Sequence, residues 1–271
     1  MSNLVHRPCP SCGEDNAAAP VTPFGNVQWP IKACRGCGFV YLETAPVYER
    51  LVDEFAWEKT SASQTQRRVA KAPIQQFLSQ QLKIVRHRWL KRDKLPYLVR
   101  RFVMAGNVLD IGCGGGGALE GLVAHHIPHG IEISRVLAQK ATEKVAPRGG
   151  RIVHDAAVSG LKQFPANLFS GVLLSAFLEH EIAPKLLLAG VFRTLLPGGH
   201  CIIKVPNFGS VNRMVRGKEW CGFRLPDHVN YFTPDSLVQM CQQAGFHIAK
   251  FSFADRLPTS DNMWLVIQKP L

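Results

Sequence analysis

The stretch "VLDIGCGGGG", Val108 to Gly117, constrains the fold of this chain more than any other. Hydrophobic and acidic residues run straight into a loop with almost no side chains. The apolar run reads as a buried strand, and the glycines as a tight turn into a helix.

The same alternation continues downstream. "NVLDIG", "PHGIEIS", "GRIVHD", "FSGVLLSA" and "GGHCIIKVP" read as strands. "GALEGLVAHH", "RVLAQKATEKV" and "APKLLLAGVFRTL" read as helices between them. "TPDSLVQMCQQAG" is a helix with a Thr cap and a Gly stop, and "FHIAKFSF" and "NMWLVIQK" are closing strands. Strands alternating with helices predict an α/β doubly wound, seven-stranded, mostly parallel sheet over residues 106–271. Ligands then bind at the carboxyl ends of the strands.

Gly112, Gly114 and Gly117 spell G-x-G-x-x-G. A phosphate-cradling P-loop needs Lys-Ser/Thr after its last glycine, and Ala118-Leu119 exclude it. A dinucleotide fingerprint also wants an acid about 20 residues on, which Glu132 supplies. Asp110 argues against it, because a carboxylate beside the loop repels a pyrophosphate. A ligand carrying a sulfonium and an ammonium, such as S-adenosylmethionine, suits that carboxylate. Glycines at 112 and 114 let the backbone approach such a ligand closely. A tight turn that holds no ligand is the remaining alternative.

"VLDIGCGGGG" followed by "GIEIS" resembles the first two motifs of the class I S-adenosylmethionine-dependent methyltransferases. "HDA" (154–156), "LLSAFLEH" (173–180), "LLPGGHCIIKVPN" (195–207) and "RLPDHVNYFTPDSLVQMCQQAGF" resemble that family's later motifs, in order. The resemblance implies a Rossmann-like domain that binds S-adenosylmethionine. Carried over by position, Asp110, Gly112, Cys113 and Gly114 hold the methionine end. Glu132 and Ile133 lie at the ribose, Asp155 and Ala156 face the adenine, and Ser175 floors the pocket. One departure is Ser170, where the family usually has an acid early in the fourth strand.

"CPSCG" and "CRGCG" are two knuckles with 21 residues between Cys12 and Cys34. Cys9, Cys12, Cys34 and Cys37 together can close a tetrahedral zinc site with no open position, hence a structural one. Two redox dithiols, or unmetallated core cysteines, are the alternatives. Residues 1–45 therefore read as a small zinc-ribbon-like module, and 46–105 as a helical arm.

Of a net charge of +12, the segment Arg67–Arg101 carries +10: eleven Lys/Arg against Asp93. Apolar residues at Ile74, Phe77, Leu78, Leu82, Val85 and Trp89 give it an amphipathic helical pattern with a basic polar face. Such a face is a solvated surface, a membrane-surface contact or an RNA contact. No apolar run is long enough to span a membrane, and the N-terminus does not read as a secretory signal, so a cytoplasmic chain is expected.

Methyl transfer needs orientation, and a base where the acceptor carries a proton. His180, with Glu179 beside it, lies just past the fourth strand. His228 lies in "PDHVNYF", expected to fold over the site. Asn207, Trp220 and Tyr231 are the candidate acceptor contacts, whereas His125, His126 and His129 read as structural. The sequence thus predicts a methyltransferase acting on an oxygen or carbon of a small molecule: a sugar nucleotide, glycan or lipid-linked metabolite. A zinc-module RNA methyltransferase, and a binding protein that keeps the fold without turnover, are the alternatives.

Overall fold

The computed structural model describes residues 4–46 and 94–271. At the N-terminus, β1 (Leu4–His6) pairs antiparallel with β4 (Thr44–Pro46), around a hairpin of β2 (Ile31–Ala33) and β3 (Val40–Leu42). Helix α1 (Lys94–Phe102) leads into the main domain. There β5 (Gly106–Ile111), α2 (Gly117–Glu120), β6 (His126–Glu132), α3 (Arg135–Val145), β7 (Ile152–His154) and α4 (Ala157–Lys162) follow one another. Then come β8 (Phe169–Ser175), α5 (Pro184–Thr194), β9 (Leu195–Pro206) and α6 (Val211–Arg216). The chain closes with β10 (Asn230–Tyr231), α7 (Pro234–Gln243), β11 (His247–Lys250) and β12 (Asn262–Gln268).

The main sheet has seven strands in the order β11-β12-β9-β8-β5-β6-β7, and β12 runs against its neighbours β9 and β11. The chain winds from β5 outward through β6 to β7, then returns to place β8 on the other side of β5. That reversal opens a crevice at the carboxyl ends of β5 and β8, where α/β sheets take their ligands. Period-two alternation divides the core into two layers. Leu109, Ile111, Val172, Leu174, Cys201 and Ile203 face one layer; Val108, Leu173 and Ile202 face the other, with α1 and α3.

Two sequence expectations change. The ten-residue helix read in "GALEGLVAHH" shrinks to four residues, because Gly121 caps it and β6 starts at His126. Residues from His126 to Ile131 are needed as partners for all of Gly106–Ile111, so sheet pairing overrides the helical pattern. The N-terminal module also shares its core with the main domain. Strand β3 pairs with β10, making a sheet of order β10-β3-β2, and the Phe39 and Phe232 rings meet edge to face at 5.3 Å. The apolar stripe Ile74–Trp89 of the arm lies outside the described residues. Its described end, α1, is fastened by Lys94 to Asp255 at 2.9 Å. Among the described residues, no helix is long and apolar enough to cross a membrane.

Candidate active site

Strand β5 delivers Asp110 to the crevice, and the chain then turns through three left-handed glycines, Gly112 (φ 74°), Gly114 (φ 53°) and Gly116 (φ 78°). The third is Gly116; Gly117 already begins α2. A β-carbon on Gly112 would meet the Phe177 ring at 2.3 Å, so that glycine admits an aromatic from the loop after β8. A β-carbon on Gly114 would meet nothing within 4 Å, so the loop is open on that side. Glu132, at the end of β6, fixes the loop: Oε2 accepts from the Gly114 amide and Oε1 from the Ser134 amide, each at 2.8 Å. Each oxygen keeps a further acceptor site.

Asp110 is buried, and burial, then the neighbouring Glu132, pushes its carboxyl up to about 7. Nothing among the described residues pulls it down. A buried carboxylate without a donor or counter-charge is costly, and a cationic ligand removes that cost. This donor set fits S-adenosylmethionine. Asp110 would face its charged methionine end, Gly114 would clear room, and Glu132 would hold the ribose hydroxyls. Asp155 follows β7, where its Oδ1 accepts from the Ala156 amide at 2.7 Å and its Oδ2 from Gln163 at 2.8 Å. Ile133 lies half-buried beside them, its carbonyl 3.0 Å from His154 Nε2. Ser175 ends β8 at the floor of the crevice, in register with Lys204. Cys113 points away: its thiol packs toward Gly130, and its amide donates to Ile131 O at 3.2 Å. Its expected cofactor role is thereby replaced by a core role.

On the other side of the crevice, Ala176 takes a left-handed conformation (φ 57°), with its amide donating to Lys204 O at 2.8 Å. That conformation costs a non-glycine residue about 1–2 kcal/mol, and such strain gathers at functional sites. The loop it opens presents Glu179 and His180. One ligand atom each of Glu179, His180 and His228 lies within 4.8 Å of the others, and the two imidazoles meet edge to face at 4.6 Å. His180 Nδ1 donates to Asp227 O at 2.9 Å, and His228 Nδ1 donates to Gly222 O at 2.8 Å. Both rings are therefore set as Nδ1–H tautomers, with the lone pair of the neutral ring on Nε2. Burial, then Arg224, holds His180 down to about 4, while burial pushes Glu179 up to about 8.

The candidate acceptor contacts sit deeper than the sequence reading expected. Trp220 is 2% exposed and gives its Nε1–H to Asp261 at 2.8 Å, in the core between the main domain and the N-terminal module. Tyr231 is equally buried, and its hydroxyl donates to His228 O at 2.8 Å. Asn207 turns its own loop by accepting from the Gly209 amide at 3.0 Å. Each of the three spends a polar atom on the fold. His129 is structural, as read: Nδ1 accepts from the Arg151 amide at 3.2 Å and Nε2 pairs with Asn107 at 2.9 Å. Ser170, the family departure, donates to Met104 O at 2.9 Å.

The family model described as a methyltransferase domain matches residues 74–250. The chain belongs to this methyltransferase family. It is a class I S-adenosylmethionine-dependent enzyme. It is 30% identical, over 58% of its length and 71% of the relative's, to a ubiquinone biosynthesis O-methyltransferase of Aromatoleum aromaticum. A protein of the same name from Coxiella burnetii is 24% identical over 57% of this chain and 70% of that one. A solved S-adenosylmethionine-dependent methyltransferase from Methanosarcina mazei shares the fold at a TM-score of 0.51. That match has 18% identity and covers 64% of this chain and 97% of the other.

Arg7 and the four cysteines complete the picture. Cys9 and Cys37 sulfurs lie 3.5 Å apart, Cys12 and Cys34 sulfurs 3.4 Å, and all four lie within 4.8 Å of one another. Those spacings are far beyond a disulfide bond of about 2.05 Å. They approach the ~3.8 Å edge of a tetrahedron with ~2.3 Å zinc–sulfur bonds. Both knuckles are built alike: the Gly13 amide donates to Cys9 O at 2.8 Å, the Gly38 amide to Cys34 O at 2.9 Å, and both glycines have positive φ. Arg7 was not singled out by the sequence reading. It is buried, and its guanidinium donates to four acceptors.

The buried carboxyls set a pH dependence of stability. Asp110 and Glu179, raised to about 7 and about 8, stay protonated in the folded chain where the unfolded chain has lost those protons. Their contribution therefore falls as pH rises through that range. His180, lowered to about 4, acts oppositely, but its effect is complete by the ordinary imidazole value of ~6.5. Between pH 6.5 and 8.5 these two carboxyls should cost the donor-free protein, with its knuckle cysteines held by zinc and so not titrating, ~2 kcal/mol, a fall of ~4–8 °C in thermal midpoint. Thermal scans at three pH values check this, and a flat or rising midpoint contradicts it.

Proposed function

We propose that this enzyme methylates an acidic hydroxyl, phenolic or enolic, on a small molecule, and that a structural zinc holds its N-terminal knuckles. The observation that carries the acceptor class is the His180–His228 pair, tautomerically set, at the end of β8. S-adenosylmethionine, when bound, supplies the electrophilic methyl on its sulfonium. Asp110 meets the cationic end, and Glu132 keeps the loop placed. His180 takes the acceptor proton at Nε2, and the carbonyl of Asp227 steadies the ring from Nδ1.

Magnitudes decide between acceptors. Whichever base takes the proton, an aliphatic hydroxyl, near the ~16 of water, costs ~8 kcal/mol more to deprotonate than a phenol of pKa ~10. A turnover of ~1 per second allows only ~17 kcal/mol in all. Sugar hydroxyls therefore suit this site poorly. The relatives agree, because all six curated matches are named as ubiquinone biosynthesis O-methyltransferases. The oxygen acceptor is accordingly preferred over the sugar-nucleotide and glycan acceptors that the sequence suggested. Methyl-labelled S-adenosylmethionine, offered with a panel of catechols, hydroquinones and sugar nucleotides, tests the reading. Transfer to the phenols alone supports it, and transfer to sugar nucleotides or to ribonuclease-sensitive material contradicts it.

A further inference from the structure

Arg7 lies two residues before the first zinc-type cysteine, yet its guanidinium ends in the wall of the acceptor site. Its Nη1 donates to Leu42 O at 3.0 Å and to Val229 O at 3.1 Å. Its Nη2 donates to Ile182 O at 3.0 Å and to Asn230 Oδ1 at 2.9 Å. Asn230 in turn donates through Nδ2 to Leu178 O at 3.0 Å and Glu181 O at 2.7 Å. The amides of Val229 and Asn230 both donate to Glu179 O, at 2.8 and 3.1 Å. One side chain thus ties three segments together: the strand leaving the knuckles, the turn carrying Glu179 and His180, and the strand that follows His228. The Leu42 amide adds a bond to Val229 O at 2.9 Å.

A planar fork with two donor edges suits this task, and a lysine ammonium cannot reproduce it. A salt bridge alone would not require the four separate acceptors. The network matters because His180 and His228 sit on two different segments, joined by His180 Nδ1 to Asp227 O and by the Val229 and Asn230 amides to Glu179 O, and the Arg7–Asn230 web fastens both segments to β3 of the N-terminal module. Their mutual placement therefore depends on residues of the N-terminal module.

We infer that Arg7 is a positioning residue that locks the four-cysteine module to the acceptor side of the site, so that the state of the knuckles is read at His180 and His228. The donor side, on β5 and β6, lies outside this web. The inference rests on the assignment of the two histidines to the acceptor side. It does not require that the acceptor be a phenol.

The test uses the full chain, uniformly labelled with ¹⁵N. Long-range ring spectra report the tautomer of each histidine. In the native protein His180 and His228 should show single Nδ1–H tautomers. In Arg7→Met those two rings should lose that signature, while S-adenosylmethionine affinity stays within about twofold. Turnover of a catechol probe should fall about 100-fold in kcat/KM, the effect of an ångström-scale misplacement. Arg7→Lys, which keeps the charge and loses the fork, should fold even if Arg7→Met does not, and should show the same ring change in part. Cys37→Ser, with Arg7 intact, should produce the ring change as well. Unaltered ring spectra in Arg7→Lys and Cys37→Ser overturn the inference. A parallel loss of donor affinity overturns it too, because it marks a general loss of fold. If no catechol reacts, the acceptor reading fails on its own and the ring spectra still decide this one.

Discussion

Replacing Asp110 by Asn should weaken S-adenosylmethionine binding by ~100-fold or more, and at the same time raise the thermal midpoint of the ligand-free protein at pH 8. The two effects have one cause. Asp110 is buried with no partner among the described residues, and burial then Glu132 raise its carboxyl to about 7. At pH 8 the folded chain must hold it ionised, which is unfavourable until a cation arrives. An amide of the same shape removes that penalty. It also removes the charge that a sulfonium and an ammonium meet, and a charge-assisted contact in a buried site is worth ~3 kcal/mol, or ~150-fold. Sites that store instability for the sake of a ligand commonly gain stability when disarmed. Calorimetric titration with the donor and a thermal scan without it read the two halves. A variant that binds the donor normally shows that Asp110 is a bystander.

Removing one knuckle cysteine, as in Cys34→Ser, should abolish stoichiometric zinc and lower the thermal midpoint by about 10 °C. The cysteine module is too short to sustain a core alone, so metal binding there is folding energy. Its residues are not peripheral, however. Cys9, Cys34, Phe39 and Tyr41 belong to the same buried cluster as Leu109, Val172 and Ile203 of the main sheet. Loosening the knuckles therefore exposes one face of the catalytic domain, and strand β10 loses its neighbour β3. Elemental analysis of the native protein should give one zinc per chain. Native protein free of zinc, with the same midpoint as Cys34→Ser, contradicts a structural metal.

Local signals made much of this legible. The succession of strands and helices along the chain could be anticipated because each strand–helix unit carries its own periodicity, and Thr233 and Gly245 punctuate α7. Asp110, Glu132 and the two C-x-x-C knuckles are local in the same sense: each needs only its own turn to be recognised. What stayed hidden depends on distant partners. Arg7 makes its bonds to residues 182, 229 and 230, and nothing near Arg7 in the sequence announces them. Trp220 reads as a candidate acceptor contact because its stretch is polar and lies just ahead of "PDHVNYF". It is buried because Ile31 and Leu42, from the other end of the chain, pack in the same core. Phe177, which lies against Gly112, could have been suspected from the bare glycine opposite a bulky ring in "SAFLEH". The six residues after Ile111, five of them glycines, offered several equivalent turns, and only the backbone singles out Gly116 over Gly117.

The most direct test is transfer of a ¹³C-labelled methyl from S-adenosylmethionine to a substituted catechol by the zinc-replete protein, with the product read by carbon NMR. An aryl methyl ether signal that disappears in both Asp110→Asn and His180→Ala is the predicted result. Label on carbon, on a sugar hydroxyl or on RNA, or an ether formed at the native rate by His180→Ala, contradicts the account.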